Sequence, residues 1–354
     1  MTSFRKLNQP TGRIIHQDDA SYLFFGGTAY LGLLQNPDYI ELYKDGIDKY
    51  GLNNGTSRTN NVQLGIYEEV EQDLAQRFGF EDAAVLSSGY LAAQIAVKVL
   101  SKGRKVYYAP DCHPSLWLDD DPGVAVGFED WLTNSIEEIN ASDEEEFVMI
   151  SNSMDNLTPR LNDFSALNQL SNNKYVTLIL DDSHGIGVLR KNQVSTPVET
   201  YKAENLNIVV LASLAKGMGT DAGVVLGNSE TIIAIKKHPI FLGSSPSAPA
   251  ALYALKNGKA IYNHAFDQMQ GNVSQLEGLV KGLKLSHIPH FPVFSTQAPA
   301  LYKHLINHKI VISSFPYPLA DSPLLNRIIV SALHRPADIE WLGEVLSREN
   351  ILKL

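Results

Sequence analysis

The 354-residue chain has a single cysteine, Cys112, so an intramolecular disulfide is excluded. A lone thiol is compatible with a reducing compartment, and the expectation is a cytoplasmic protein. No apolar run approaches the roughly 20 residues that a membrane span needs. Residues 1–15 mix Arg5, Lys6, Asn8 and Pro10 with few apolar side chains. They lack the apolar core of a secretory signal, and none is expected. Basic charge is also short: 29 Lys and Arg stand against 39 Asp and Glu, for a formal net charge of −10. That balance argues against a sequence-independent grip on nucleic acid or on an acidic membrane. Metal motifs are missing too. His304 and His308 have ligand spacing on a helix, but Leu305 stands where His-Glu-x-x-His needs Glu, so a solvated helix face is expected and no metal. The acidic runs Glu137–Glu138 and Asp143–Glu146 read as a solvated rim.

What is present is an ordinary globular balance, 44% hydrophobic and 19% charged. Its most informative stretch runs from residue 175 to residue 219. Tyr175–Leu180 and Asn207–Ala212 are β-branched apolar runs with the length of buried strands. Each ends abruptly in polar residues and glycines: Asp181-Asp182-Ser183-His184-Gly185 after the first, Ser213-Leu214-Ala215-Lys216-Gly217 after the second. As parallel strands of an open α/β sheet they would deliver Asp181, His184, Ser213 and Lys216 to one carboxyl edge, where such sheets bind ligands. A partly desolvated lysine can form a Schiff base with an aldehyde cofactor, and pyridoxal phosphate (PLP) is the aldehyde that proteins use this way. PLP also needs an acid at its pyridine nitrogen, which an Asp at a neighbouring strand end can supply. The plain alternative is a turn and a solvated lysine. Either half alone would favour that alternative, but the two together favour PLP.

The rest of the chain supplies further strand-end loops. Residues 1 to about 25 read as an extended arm, and Pro37 opens a helix. Ile66, Val70, Leu74 and Phe78 mark an amphipathic helix ended by Gly79. Asp82–Leu86 reads as a strand, and Ser87-Ser88-Gly89-Tyr90 leads from it into a helix. Free backbone N–H groups there suit a phosphate, although the turn is neither a Gly-Lys-Ser/Thr loop nor Gly-x-Gly-x-x-Gly. A strand at 104–108 ends in a loop carrying His113, whose imidazole could stack on a planar cofactor or simply be a satisfied surface residue. Phe147–Ile150 runs into the polar loop Ser151–Asn156. A helical stretch is expected over about 250–285. Strands near 291–294, 310–313 and 327–332 suggest a smaller α+β unit. The expected division is an arm over 1–35, a large domain over 36–262 and a small domain over 263–354.

In order along the chain, these residues resemble the α-oxoamine synthases among fold-type-I PLP-dependent enzymes. The resemblance rests on Tyr30-Leu-Gly-Leu33, Gly55-Thr-Ser-Arg58, Ser87-Ser-Gly-Tyr90, His113-Pro-Ser115, Ser153-Met-Asp155, Asp181-Asp-Ser-His184, Ser213-Leu-Ala-Lys216 and the strand from Arg327 to His334. It implies a mostly parallel α/β large domain with a smaller α+β domain, and PLP as cofactor. Lys216 is then the Schiff-base lysine, Asp181 the partner of the pyridine nitrogen, and His184 the contact to the ring hydroxyl, with His113 stacked on the ring. Ser88, Gly89, Tyr90, Ser153 and Ser213 join the cofactor site, and Ser244 or Ser245 reaches the phosphate of a second subunit in a homodimer. Arg327 reads the substrate carboxylate beside Tyr30. The chain departs from the family pattern on the substrate side, at Ala29, Asn61, Tyr67, Met149 and Asn156. The implied reaction condenses an α-amino acid with an acyl-CoA, losing CO₂ to give an α-amino ketone. Two rivals stay open: an aminotransferase using a 2-oxo acid, and a catalytically silent PLP-binding protein.

Overall fold

The computed structural model describes residues 4–201, 203–316, 321–348 and 352. Its larger sheet has six strands, in the order Asp82–Leu86, Gly223–Gly227, Leu206–Ser213, Tyr175–Asp181, Glu146–Asn152 and Lys105–Tyr108. Gly223–Gly227 runs antiparallel to both neighbours. The pairings from Leu206–Ser213 outward to Lys105–Tyr108 are parallel. Strands covered on both faces need continuous apolar sequence. Val176, Leu178, Ile179, Leu180 and Val209 to Ala212 meet that need, each at most 1% exposed. A fully buried Val, Ile or Leu contributes about 1.5–3 kcal/mol, so these strands form a rigid base for the loops at their ends.

Helix boundaries follow local chemistry. Asn36 caps Pro37–Tyr50, its side chain accepting from the Tyr39 amide at 3.0 Å. Gly79, at φ 78°, takes the left-handed conformation that ends Ile66–Phe78. The long helical stretch divides into Pro249–Asn257 and Lys259–Leu279. The second helix runs without a break across the expected domain boundary at 262/263. Before the Tyr175 strand the chain makes a short 3₁₀ turn, Ser165–Gln169.

The smaller sheet departs from the arm reading. Ile14–Gln17 and Ala20–Phe25 form a hairpin, and its second strand pairs in parallel with Ile310–Pro316. Leu324–Ile329 and Val293–Thr296 complete the order. The N-terminal segment is thus a structural part of the C-terminal unit. The hairpin's short alternating strands, punctuated by Asp18-Asp19, carry little signal until a partner sheet is known. His334 fixes the join: its Nδ1 accepts from the Ser331 amide at 2.9 Å and its Nε2 lies 3.0 Å from the Phe24 carbonyl. Its ring stacks on Phe25 at 3.9 Å.

Candidate active site

The parallel strands end on one edge, and the sequence-marked residues collect there. Asp181 is the last residue of its strand and is paired with Leu211 next door, so Ser213 and the Lys216 turn follow directly beside it. The Asp181 Oδ1 accepts from the Ser183 amide at 2.9 Å, and Oδ2 makes no hydrogen bond among the described residues. The Ser183 hydroxyl in turn accepts from the Ser213 amide at 2.8 Å, tying the two strand ends together. Burial lowers the pKa of the Lys216 amine; Asp181 opposes the shift and Arg327 adds to it. Those causes place a cation, a carboxylate and a second cation within electrostatic reach of each other.

The neighbouring strand ends contribute the imidazoles. His113 keeps an exposed face. Its ring is fixed by Ser115, whose hydroxyl lies 2.8 Å from Nδ1 and whose amide donates to the same atom at 3.2 Å. Desolvation of the packed side lowers its pKa, Asp181 raises it and Lys216 lowers it. His184 is driven well below its usual range, first by burial and then by Lys216, Arg327 and His113. It is therefore a neutral imidazole. Asp182, by contrast, points inward: it is fully buried, accepts from the Ser195 amide at 2.7 Å and bonds the Ser195 hydroxyl. Burial pushes its carboxyl up to about 7. Ser153 is also fully buried; its hydroxyl faces Asp182 without a well-formed hydrogen bond.

A cradle of free helix amides forms where Gly89 opens its helix. A Cβ on Gly89 would come within 2.4 Å of the Ser213 Cβ and 2.5 Å of its Cα. Only glycine lets the helix start this close to the strand end. Ser88 caps the helix, accepting from the Leu91 amide at 3.2 Å, and helix geometry leaves the amides of Gly89 and Tyr90 without intrahelical partners. Such a terminus favours an anion. The side chain of Tyr90 is 58% exposed beside it. Cradle, carboxylate, two imidazoles and a depressed-pKa lysine fit the phosphate, pyridine ring and aldehyde of PLP.

The substrate side is built across the two sheets. Tyr30 is fully buried, with its hydroxyl 2.7 Å from Nδ1 of His184. Burial pushes its pKa up to about 12, against a lowering by Arg327. Arg327, 5% exposed, lies in the smaller sheet between Ser295 and Ser313. It donates from Nη2 to Oδ1 of Asn156 at 2.8 Å, while its Nε is buried without a partner.

Other marked residues lie elsewhere. Ser244 ends the helix Pro239–Gly243, and its hydroxyl bonds the Phe241 carbonyl at 3.3 Å; Ser245 is exposed. Nearby, Ser247 donates to the Leu86 carbonyl at 2.8 Å and accepts from Tyr67 through its own carbonyl at 3.0 Å. Tyr67 is thereby buried, beneath Arg58, whose guanidinium stands 4.8 Å from the Tyr67 ring and pairs with Glu71 at 3.3 Å. Met149 is core, fully buried between Tyr107 and Leu178. Ala29 offers only a methyl group. Sequence reading did not anticipate the work of Ser183, Ser115 or Asn152. Asn152 holds the His113 loop by donating to the Asp111 carbonyl at 2.7 Å and accepting from the His113 amide at 3.3 Å. Small polar residues in strand-end loops are too common to single these out.

Comparison with known proteins agrees with this geometry. The 8-amino-7-oxononanoate synthase of Pseudomonas syringae pv. tomato is 28% identical over 367 residues, covering 97% of this chain and 90% of that protein. A variant serine palmitoyltransferase from S. paucimobilis, solved with a bound PLP–myriocin aldimine, superposes with a TM-score of 0.76 at 18% identity, over 96% of this chain and 90% of that one. The 8-amino-7-oxononanoate synthase of Francisella tularensis gives 0.67 at 19% identity, over 94% and 98%. A family profile described as aminotransferase class I and II matches residues 25–346. The chain belongs to the aminotransferase class I and II family, and within it resembles the α-oxoamine synthases in sequence and in its fold-type-I architecture.

Proposed function

We propose that the protein is a PLP-dependent acyltransferase that joins an α-amino acid to an acyl-CoA, releasing CO₂ and an α-amino ketone. The observation that carries this reading is a buried arginine, Arg327, whose charge, after burial, helps lower the pKa of the Lys216 amine. Such a pair suits a substrate that brings a carboxylate and an α-proton together. The similarity to 8-amino-7-oxononanoate synthases over nearly the whole chain favours acyl transfer over transamination.

When bound, PLP supplies an aldehyde for an amine to condense with and a ring that withdraws electrons from the substrate Cα. The rest is work for this chain. Asp181 would hold a proton on the ring nitrogen through its Oδ2. His113, its plane set by Ser115, would cover the ring. Ser88, Gly89, Tyr90 and Ser213 would hold the phosphate. Arg327 would take the substrate carboxylate and so set the orientation of the substrate Cα. Lys216 moves the Cα proton, and its lowered pKa favours the neutral amine needed for that. Ser153 we assign to the support of Asp182. The order arm, large domain and small domain we keep, with the hairpin 14–25 assigned to the small one.

We also infer a homodimer. Leu52 and Val62 are 73% and 72% exposed on the loop 51–65, and Thr59 of that loop donates to the Leu242 carbonyl, beside Ser244 and Ser245. An apolar rim next to these serines suits a second subunit, and light scattering tests it. Among the described residues no helix is long and apolar enough to cross a membrane.

The deciding experiment is a panel of amino acids with and without acyl-CoA thioesters, followed by thiol release and CO₂. Thiol and CO₂ released together support the acyltransferase. Amino acid consumption that depends on a 2-oxo acid, without thiol release, assigns an aminotransferase. Spectral binding with no product from any amino acid assigns a silent binding protein.

A further inference from the structure

We infer that Asn156 is a specificity-determining residue of the amino-acid site, reading the substrate carboxylate together with Arg327. This rests on the amino-acid substrate proposed above. Asn156 lies in the loop after Glu146–Asn152, whereas Arg327 lies in the smaller sheet, so their 2.8 Å hydrogen bond crosses between the two units. The loop is made for this. Asp155 accepts from the amides of Leu157 and Thr158 at 2.8 and 3.2 Å and from the Thr158 hydroxyl, fixing the turn that carries Asn156.

Two features of the contact give it a function. First, it is polar but neutral. A carboxylate at 156 would cancel the guanidinium charge, whereas an amide oxygen orients Arg327 and leaves its positive charge for a ligand. Second, it is incomplete. Arg327 is 5% exposed, yet its Nε is buried without a partner, and the Asn156 Nδ2 makes no hydrogen bond among the described residues. A buried N–H without a partner is costly, and its donor would be satisfied by an incoming acceptor. A carboxylate has two oxygens and answers both vacancies, taking one bond from the guanidinium and one from the amide. The ligand class is therefore an α-amino acid with a free carboxylate. A primary amine of the same size lacks the group that Asn156 reads.

The test uses the holoenzyme and reads the visible absorption change on titration with glycine, alanine and serine, and with methylamine, ethylamine and ethanolamine as their carboxylate-free counterparts. Asn156→Asp should raise the amino-acid Kd at least tenfold by pairing with Arg327, and Asn156→Ala should raise it about three- to tenfold. The amine Kd should stay within twofold in both variants, and cofactor content and melting temperature should match the parent. Amino-acid Kd values within twofold of the parent in both variants would overturn the inference. So would equal losses for amines and amino acids, which would mark a general defect. A parent holoenzyme that responds to no amino acid would overturn the functional reading first and this inference with it.

Discussion

The Tyr30 hydroxyl stands 2.7 Å from Nδ1 of His184, and the two groups fix each other's protonation. Burial holds Tyr30 as a phenol and His184 as a neutral ring. We assign the phenol as donor and Nδ1 as acceptor, which puts the proton of the imidazole on Nε2. His184 can thus offer an N–H donor to the ring hydroxyl of PLP. Tyr30→Phe should leave Nδ1 unpaired and free the ring to turn. We expect kcat/KM to fall roughly tenfold, equal to about 1.4 kcal/mol, with a shifted cofactor absorption band. Unchanged kinetics and spectrum would show that His184 needs no such support.

Lys216 carries the covalent link to the cofactor in this reading. Lys216→Ala should lose the visible band of the bound aldehyde and all turnover, while keeping the melting temperature of the apoprotein. Because burial lowers the amine's pKa, the parent's lysine should be modified by a small aldehyde at a lower pH than an exposed lysine. Activity retained without Lys216 would exclude the scheme.

Gly89 tests the cradle. A methyl group there would meet the Cα and Cβ of Ser213 at 2.5 and 2.4 Å, and a backbone atom cannot swing aside. Gly89→Ala should force the helix away from the strand end, costing on the order of 1–3 kcal/mol. Affinity for PLP should fall in equilibrium dialysis against the free cofactor. Affinity equal to the parent's would place the phosphate elsewhere.

Acid sensitivity should come from His334. Burial lowers its pKa from 6.5 to about 4, against the Phe24 hydrogen bond and the Asp338 charge, which raise it; as the ring stands, Nδ1 accepts from Ser331 and Nε2–H donates to the Phe24 carbonyl. The folded pKa lies below the unfolded one. Its contribution is therefore complete above about pH 6.5 and is lost as pH falls through 4, for a total of roughly 3 kcal/mol. Chemical denaturation between pH 7 and 4 should show this slope as the difference between the parent and His334→Gln, because Asp182, with its carboxyl raised to about 7, contributes an opposite slope to both proteins. An equal slope in both proteins would place the acid sensitivity elsewhere.

The collection of Asp181, His184, Ser213 and Lys216 at neighbouring strand ends could be read from residues close together in the chain. An apolar run has to end where its polar loop begins, so local sequence alone determined which side chains the parallel sheet would present. The hairpin 14–25 could not be read this way, because its place depends on pairing with Ile310–Pro316 nearly 300 residues later. The same holds for the Tyr30–His184 and Asn156–Arg327 bonds, which join residues 154 and 171 positions apart. Those contacts set the proton on an imidazole and the charge left open on a guanidinium. Only the tertiary approach of these distant segments decided them, since hydrogen bonds between distant residues leave no periodicity in the chain.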